Sequence, residues 1–177
     1  MTSLQNSPFP RFRVIAAWTT TVLWAALIFH LSTATYAGSL TAWVLGEILR
    51  TLHIQVSAGT FEILHSAIRK LAHLTEYGIF SMLIYLSLKA PRPRGWELRM
   101  AGWALLAAGL YSLSDEFHQS FVPGRTASLV DCGIDTVGAG LGLLLLYGIE
   151  VLTQTRRSRT AARNESADEK KKGVAGE

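Results

Sequence analysis

The chain has 177 residues, of which 49% are hydrophobic and 17% charged, and its mean hydropathy is +0.25. The length suits one domain, while the charged fraction lies well below the roughly 25% of soluble domains and indicates a membrane protein. The single cysteine, Cys132, excludes an internal disulfide framework and any CxxC motif. Because the net charge of +4 comes from clusters flanking apolar runs, it gives no reason to expect nucleic-acid binding.

Four apolar runs approach the ~20 residues that cross a bilayer. They cover about residues 14–31, 71–88, 98–113 and 129–152. The first lacks a clear cleavage site, so we interpret it as a retained span and not as a signal peptide. Most of the 17 lysines and arginines lie before the first run, between the second and third, or after the fourth, the positions that the positive-inside rule makes cytoplasmic. The sequence therefore predicts an all-α, multi-pass cell-membrane protein, with four transmembrane helices in a small bundle and both termini cytoplasmic.

The remaining segments complete a three-part organisation. Residues 1–10 form a polar lead-in, residues 11–152 the membrane domain, and residues 153–177 a basic and charged tail that we predict to be disordered. Between the first two runs, the stretch SLTAWVLGEILRTLH (39–53) carries apolar residues at helical spacing. It predicts an external helix that lies in the membrane interface or caps the bundle.

The third run is short for a span. Residues 98–113 cover roughly 24 Å as a helix at 1.5 Å per residue, whereas the hydrocarbon core measures ~30 Å. We therefore expect this helix to continue through Ser114, Asp115, Glu116 and His118 until Pro123-Gly124 ends it. The charged groups of YSLSDEFHQSFVPGR (111–125) would then begin at membrane depth.

Three predicted helices carry ionisable or polar groups at their external ends. These groups are Lys70, His73, Glu76 and Tyr77 on the second span, Tyr111, Asp115, His118 and Gln119 on the third, and Asp131 and Asp135 on the fourth. Each also has a structural interpretation, such as a snorkelling lysine, a buried histidine pair, interfacial tyrosines or an acidic helix cap. Because intramembrane ionisable residues are by default functional, we predict a polar site on the extracytoplasmic side. Further along the fourth span, Gly138 and Gly142 have the G-x-x-x-G spacing of close helix packing.

Two stretches resemble the VanZ-like family of bacterial membrane proteins: RKLAHLTEYGIF (69–80) and SDEFHQSFVPGRTASLVDCGIDTVGAGLG (114–142). The resemblance implies a small multi-span domain linked to low-level resistance to the glycopeptide teicoplanin. The matching positions are Lys70, His73, Glu76, Tyr77, Asp115, Glu116, Gln119, Phe121, Pro123, Arg125, Asp131, Gly138 and Gly142. Asp135 departs from the pattern, since the family commonly has Asn there.

An enzyme acting on a lipid-linked or cell-wall precursor is the first hypothesis. Its catalytic residues would be His73, a general base whose imidazole Glu76 orients, together with Asp115 and Glu116. Lys70, Tyr77, Gln119, Arg125 and Asp131 would bind the substrate. The carboxylates of Asp115, Glu116 and Asp131 suit Mg²⁺ or Ca²⁺, and adding His73 or His118 suits Zn²⁺. The sequence itself assigns neither a metal nor another cofactor.

Three other functions use the same residues. A non-catalytic protein would bind a lipid headgroup, a glycopeptide or a partner protein in an external cleft. A transporter is the weaker alternative, because four spans without a visible inverted repeat make a poor carrier. A structural network would pair Lys70 and Arg125 with Asp115, Glu116 and Asp131. Membrane lipids are predicted partners in every case, and nucleic acid in none.

Overall fold

The computed structural model describes residues 9–32, 39–91, 95–121 and 128–174. Five helices make up most of this part of the chain, and it contains no strand. They are α1 (Phe9–Ser32), α2 (Ser39–Thr51), α3 (Ala58–Lys89), α4 (Leu98–Gln119) and α5 (Leu129–Val174). The prediction of an all-α fold is confirmed. Most of the polar lead-in at residues 1–10 lies outside the described residues.

Three helical stretches are long and apolar enough to cross a membrane: Arg11–Ser32, Ala58–Lys89 and Leu129–Thr160. They correspond to the first, second and fourth predicted runs. The third run lies in α4, which has 22 residues but is not among the three, because Arg99, Asp115 and Glu116 lower its hydropathy. As its short apolar run predicted, α4 continues past Leu113 to Gln119.

Helix α3 begins earlier than the sequence analysis predicted, at Ala58 and not near Leu71. Glu62 and His65 lower the hydropathy of residues 58–65, so hydropathy alone placed them in a connection. Ser57 caps the helix by accepting a hydrogen bond from the Thr60 amide at 3.2 Å. With 32 residues, α3 measures about 48 Å at 1.5 Å per residue, longer than a bilayer core.

Helix α2 forms where the apolar spacing predicted a helix. Leu45 is buried, whereas Leu40, Trp43 and Ile48 are largely exposed. The Thr41 hydroxyl lies 3.1 Å from His65 Nε2, which joins α2 to the early part of α3. The helix therefore keeps an apolar face that the described part of the protein does not cover.

The end of α2 carries two local interactions. The Arg50 guanidinium donates to Glu47 at 3.0 Å and holds the pKa of that carboxyl below its usual range. His53 adopts a left-handed conformation with φ of 57°. The His53 amide donates to the Arg50 carbonyl and the Ile54 amide to the Leu49 carbonyl, the hydrogen bonds of a Schellman cap.

Helix α3 is the central helix of the fold, because it packs against α1, α2 and α4. An aromatic cluster fills the interior between α3 and α4, where the Phe80 and Tyr111 ring centroids lie 5.0 Å apart and Tyr77 is completely buried. The Tyr111 hydroxyl donates to the Ala25 carbonyl at 2.7 Å and thereby joins α4 to α1. Tyr77 and Tyr111 are thus packing residues of the core and not interfacial aromatics.

The glycines of α5 bring that helix into backbone contact with α3. A methyl group added at Gly138 would lie 2.8 Å from the Cα of Leu74, and one added at Gly142 would lie 2.8 Å from the Cα of Gly78. Ser81 adds a hydrogen bond to the Ala139 carbonyl at 2.8 Å. The close approach predicted from the G-x-x-x-G spacing is confirmed.

The chain divides into two units, residues 1–143 and residues 144–177. The second unit continues α5 with exposed leucines, Leu144 and Leu145 among them, followed by basic residues. The sequence analysis predicted disorder from residue 153, whereas the helix in the structure continues to Val174. Alanine, arginine, lysine and glutamate are frequent after residue 155 and have high helix propensity, which explains the difference.

Candidate functional site

A cavity of about 90 Å³, here called the polar cavity, lies between α3, α4 and α5. It has room for several water molecules or for one small charged group. Its lining consists of Ser66, Arg69, Lys70, His73, Glu116, Gln119, Asp131, Ile134 and Asp135. Five of the residues predicted from the sequence as site residues therefore meet: Lys70, His73, Glu116, Gln119 and Asp131.

The basic residues of the polar cavity all come from α3. Arg69 is half-buried and Lys70 is exposed. Within the described part of the chain the Arg69 Nε is buried without a hydrogen-bond partner, and neither cation has a carboxylate within 4.0 Å. A buried guanidinium nitrogen without a partner is costly, since the desolvation of that group is not compensated. The α3 wall of the cavity thus offers positive charge that the described side chains do not neutralise.

The acidic residues of the polar cavity come from α4 and α5. The carboxylate of Glu116 accepts a hydrogen bond from the Ser128 amide at 2.7 Å, which ties α4 to the start of α5. Asp131 lies in the first turn of α5, and its amide lies 3.4 Å from Ser128 Oγ, a weak cap. The carboxylate of Asp131 forms no ion pair or hydrogen bond with another described residue. A second wall of opposite charge therefore faces the α3 wall.

His73 lies beside a buried carboxylate of α5. Its Nδ1 is 3.6 Å from Asp135 Oδ1, and Asp135 is 1% exposed. The second oxygen of this carboxylate accepts a hydrogen bond from Ser112 Oγ at 2.7 Å. Ser112, Asp135 and His73 thus form a chain of polar groups from α4 through α5 to the cavity. At 3.6 Å the carboxylate makes no hydrogen bond to the imidazole, but its charge can stabilise the protonated form of the ring.

Asp115 does not line the polar cavity and lies in a separate network. It is buried, and its Oδ2 accepts hydrogen bonds from Ser32 Oγ and from Gln119 Nε2, both at 2.9 Å. Gln119 Nε2 also donates to Ser32 Oγ. This network joins the end of α1 to the end of α4, so Asp115 holds the two helices together beside the cavity.

The other predicted site residues take different positions. Tyr77 is fully buried and lines none of the described cavities near it. Glu76 lines a second cavity of about 110 Å³, together with Arg69, His73, Ser32 and Thr41. Arg125, with Pro123 and Gly124, lies outside the described residues. The site residues named from the sequence therefore divide between the polar cavity, a second cavity and the packed core.

Neither Arg69 nor Ser112 was expected from the sequence as a site residue, and Asp135, although among the groups at the external helix ends, was given no catalytic or binding role. Arg69 precedes Lys70, and two adjacent basic residues at the edge of an apolar run usually mark the end of a membrane span. Their position therefore gave no separate indication of a binding role for Arg69. Ser112 gives no signal in an apolar run, because a small hydroxyl there is usually bonded to its own helix. Asp135 did give a signal, since a carboxylate at that depth carries a cost of about 3 kcal/mol and needs a partner.

The described part of the protein has no group of side chains arranged to bind a metal ion. There, no group of three or more His, Cys, Asp and Glu side chains lies close enough to hold an ion. The grouping of Asp115, Glu116 and Asp131 considered from the sequence is divided, since Asp115 bonds to Ser32 and Gln119.

Long apolar helices that enclose a cavity of charged residues define a multi-pass helical membrane protein. The VanZ/LLP1 family matches residues 17–152 of this chain. The protein therefore belongs to the VanZ/LLP1 family, as the resemblance predicted. No curated protein and no solved structure gives a match.

Proposed function

We propose that this protein binds the charged head of a cell-envelope molecule, lipid-linked or glycopeptide-related, in the polar cavity. One observation carries the proposal: Arg69 and Lys70 line the cavity without a carboxylate partner among the described residues. In a membrane interior such charges are retained where a ligand or a counter-ion compensates them. A phosphate or carboxylate of the ligand would supply that compensation. The glycopeptide resistance implied by the family resemblance belongs to the same proposal.

The arrangement around His73 favours proton transfer as a second candidate function. Its imidazole lies between Asp135 and the cavity, where it can take a proton from a bound hydroxyl or water and return it. Glu116 and Asp131 are further acidic groups at this cavity, and Asp115 lies in the adjacent network with Gln119. An enzyme would need both a bound substrate and this imidazole. A binder would need only the cations.

A structural ion-pair network is the competing interpretation. The Asp115, Gln119 and Ser32 network supports it for one part of the polar cluster. Against it for the rest, Lys70 forms no ion pair with a described residue. We therefore propose that the cluster divides into a supporting half around Asp115 and a binding half around Arg69 and Lys70.

Arg69→Gln and Lys70→Gln are each expected to lose a bound amphiphile, with a phosphate or carboxylate in its head, that the unaltered protein retains. The measurement is native mass spectrometry of the full chain extracted in lipid nanodiscs, with protein abundance recorded in parallel. Arg99→Gln is the matched control, because Arg99 is an exposed cation at the start of α4, away from the cavity. Losing one charge-assisted contact should weaken binding about tenfold. Equal retention of the same ligand by all four proteins would disprove the proposal.

His73→Gln distinguishes an enzyme from a binder in the same preparation. A binder should retain its ligand unchanged, whereas an enzyme should accumulate unreacted substrate on the protein. Because His73 also borders Asp135, accumulation of the folded protein is measured first.

We further propose that α4 also crosses the membrane, which makes four spans, that α2 lies in the external membrane interface and that both termini are cytoplasmic. Support comes from the basic residues flanking the apolar helices and from the exposed apolar face of α2. This topology places the polar cavity at the extracytoplasmic end of the helices.

Cysteine labelling tests this topology, and the chain has only one native cysteine to remove. In a Cys132→Ser background, Ile54→Cys should react with a membrane-impermeant maleimide added to intact cells, because residue 54 follows α2 on the outside. Gly95→Cys should react only after the membrane is opened. Labelling of both positions in intact cells, or of neither, would contradict the four-span arrangement.

A further inference from the structure

An apolar groove adjoins the polar cavity, and the two share Glu116. The groove has a volume of about 600 Å³, within the usual range for small-molecule sites. Its lining includes Leu110, Leu113, Phe117, Ser128 and Leu129 along α4 and the start of α5. The leucines and Phe117 are largely exposed. A polar cavity that continues into an apolar groove fits an amphiphile, with its head in the first and its chain in the second.

The charges of the polar cavity are divided by helix. Arg69 and Lys70 stand on α3, whereas Glu116 stands on α4 and Asp131 and Asp135 on α5. A purely anionic head would meet two cations but also three carboxylates. A head that carries both a negative and a positive group can face each wall with the opposite charge.

Of the three carboxylates, Asp131 is the one that can receive a cation. Asp135 bonds to Ser112 and borders His73, and Glu116 accepts the Ser128 amide. The carboxylate of Asp131 has no such partner among the described residues. An ammonium group is a cation that donates up to three hydrogen bonds, and an ionised carboxylate accepts them.

From these observations we infer that the ligand is a zwitterionic phospholipid with a primary amine in its head, of the phosphoethanolamine class. Its phosphate contacts Arg69 and Lys70, its ammonium contacts Asp131, and one acyl chain lies in the groove along Leu113 and Phe117. This inference rests on the proposed function and names the class of molecule that the cavity receives. It involves no reaction of the lipid.

The test compares two lipids with identical acyl chains, phosphatidylethanolamine and phosphatidylglycerol, titrated against the full chain in a neutral detergent. Native mass spectrometry counts the bound lipid. Phosphatidylethanolamine should bind about tenfold more tightly, since only its head reaches both walls with complementary charge. In Asp131→Asn the preference should disappear through loss of phosphatidylethanolamine affinity. Equal affinities in the unaltered protein, or an unchanged preference in Asp131→Asn, would overturn the inference.

The groove is tested separately by filling it. Leu113→Trp should lower the affinity for phosphatidylethanolamine about tenfold, because the larger side chain occupies the space of the acyl chain. Leu106→Trp is the matched control, two turns earlier on α4 and equally exposed to lipid but outside the groove. If both variants bind as the unaltered protein does, the chain does not lie in the groove and the inference fails.

These outcomes separate the inference from the proposed function. If both lipids bind equally and both are lost in Arg69→Gln, the zwitterion assignment is wrong while a site for anionic heads stands. If neither lipid responds to Arg69→Gln or Lys70→Gln, the proposed function fails and this inference fails with it.

Discussion

Gly142→Ala is expected to destabilise the protein by on the order of 3 kcal/mol, the upper end of the usual cost of overpacking a core. The added methyl group would lie 2.7 Å from the Gly78 carbonyl carbon and still closer to its oxygen. Those atoms belong to the backbone of α3, so no side-chain rotation can relieve the contact and the two helices must separate. The measurement is thermal unfolding in detergent together with accumulation in the membrane.

Gly140→Ala is the matched control for this substitution. It lies on the same helix, and a methyl group added there has no atom within 4 Å. Because alanine is the better helix former by about 1 kcal/mol, this control should be neutral or slightly stabilising. Similar destabilisation by the two substitutions would mean that the helix itself, and not the contact with α3, is sensitive.

Asp115→Ala should destabilise the protein by about 2 kcal/mol, because it removes the acceptor of two buried donors. Ser32 Oγ and Gln119 Nε2 both donate to Asp115 Oδ2 and would lose that acceptor. The expected result is reduced thermal stability and reduced accumulation. Ser114→Ala, at the exposed preceding residue, should change neither.

A triple apolar variant identifies the role of Asp115. If the network only joins α1 to α4, then Ser32→Ala, Asp115→Leu and Gln119→Leu combined should restore part of the lost stability, since the three polar groups that bond to one another are then removed together. Stability that stays low in the triple variant would contradict a purely structural role for Asp115. Lys70→Gln, by comparison, should retain full stability and lose only the ligand.

Much of the fold could be predicted because most of its helices are indicated by the hydropathy and spacing of their own residues. The apolar runs give three of the helices, the spacing of Leu40, Trp43 and Ile48 gives α2, and the short third run gives the continuation of α4 to Gln119. The start of α3 could not be predicted from hydropathy. Its early turns are held by the Ser57 cap and by the contact between Thr41 and His65, and the latter depends on a residue distant in sequence.

The site was predictable as a location but not as a set of contacts. The predicted spans have Lys70, His73, Glu116, Gln119 and Asp131 near the same side of the membrane. In the structure these five residues line one cavity. Register does not reveal how helices rotate against each other. That rotation sends Tyr77 into the core and makes Asp135, and not only Glu76, a neighbour of His73.

The contact between Gly138 and Leu74 also affects the geometry of the polar cavity. Gly138 follows Asp135 by less than one turn, and Leu74 directly follows His73, so one of the two close backbone contacts between these helices lies next to the imidazole and its carboxylate. Backbone against backbone leaves no flexible layer to absorb small displacements. The glycine thus sets the distance between His73 and Asp135 without touching either side chain, so a larger residue at position 138 would move the two groups apart.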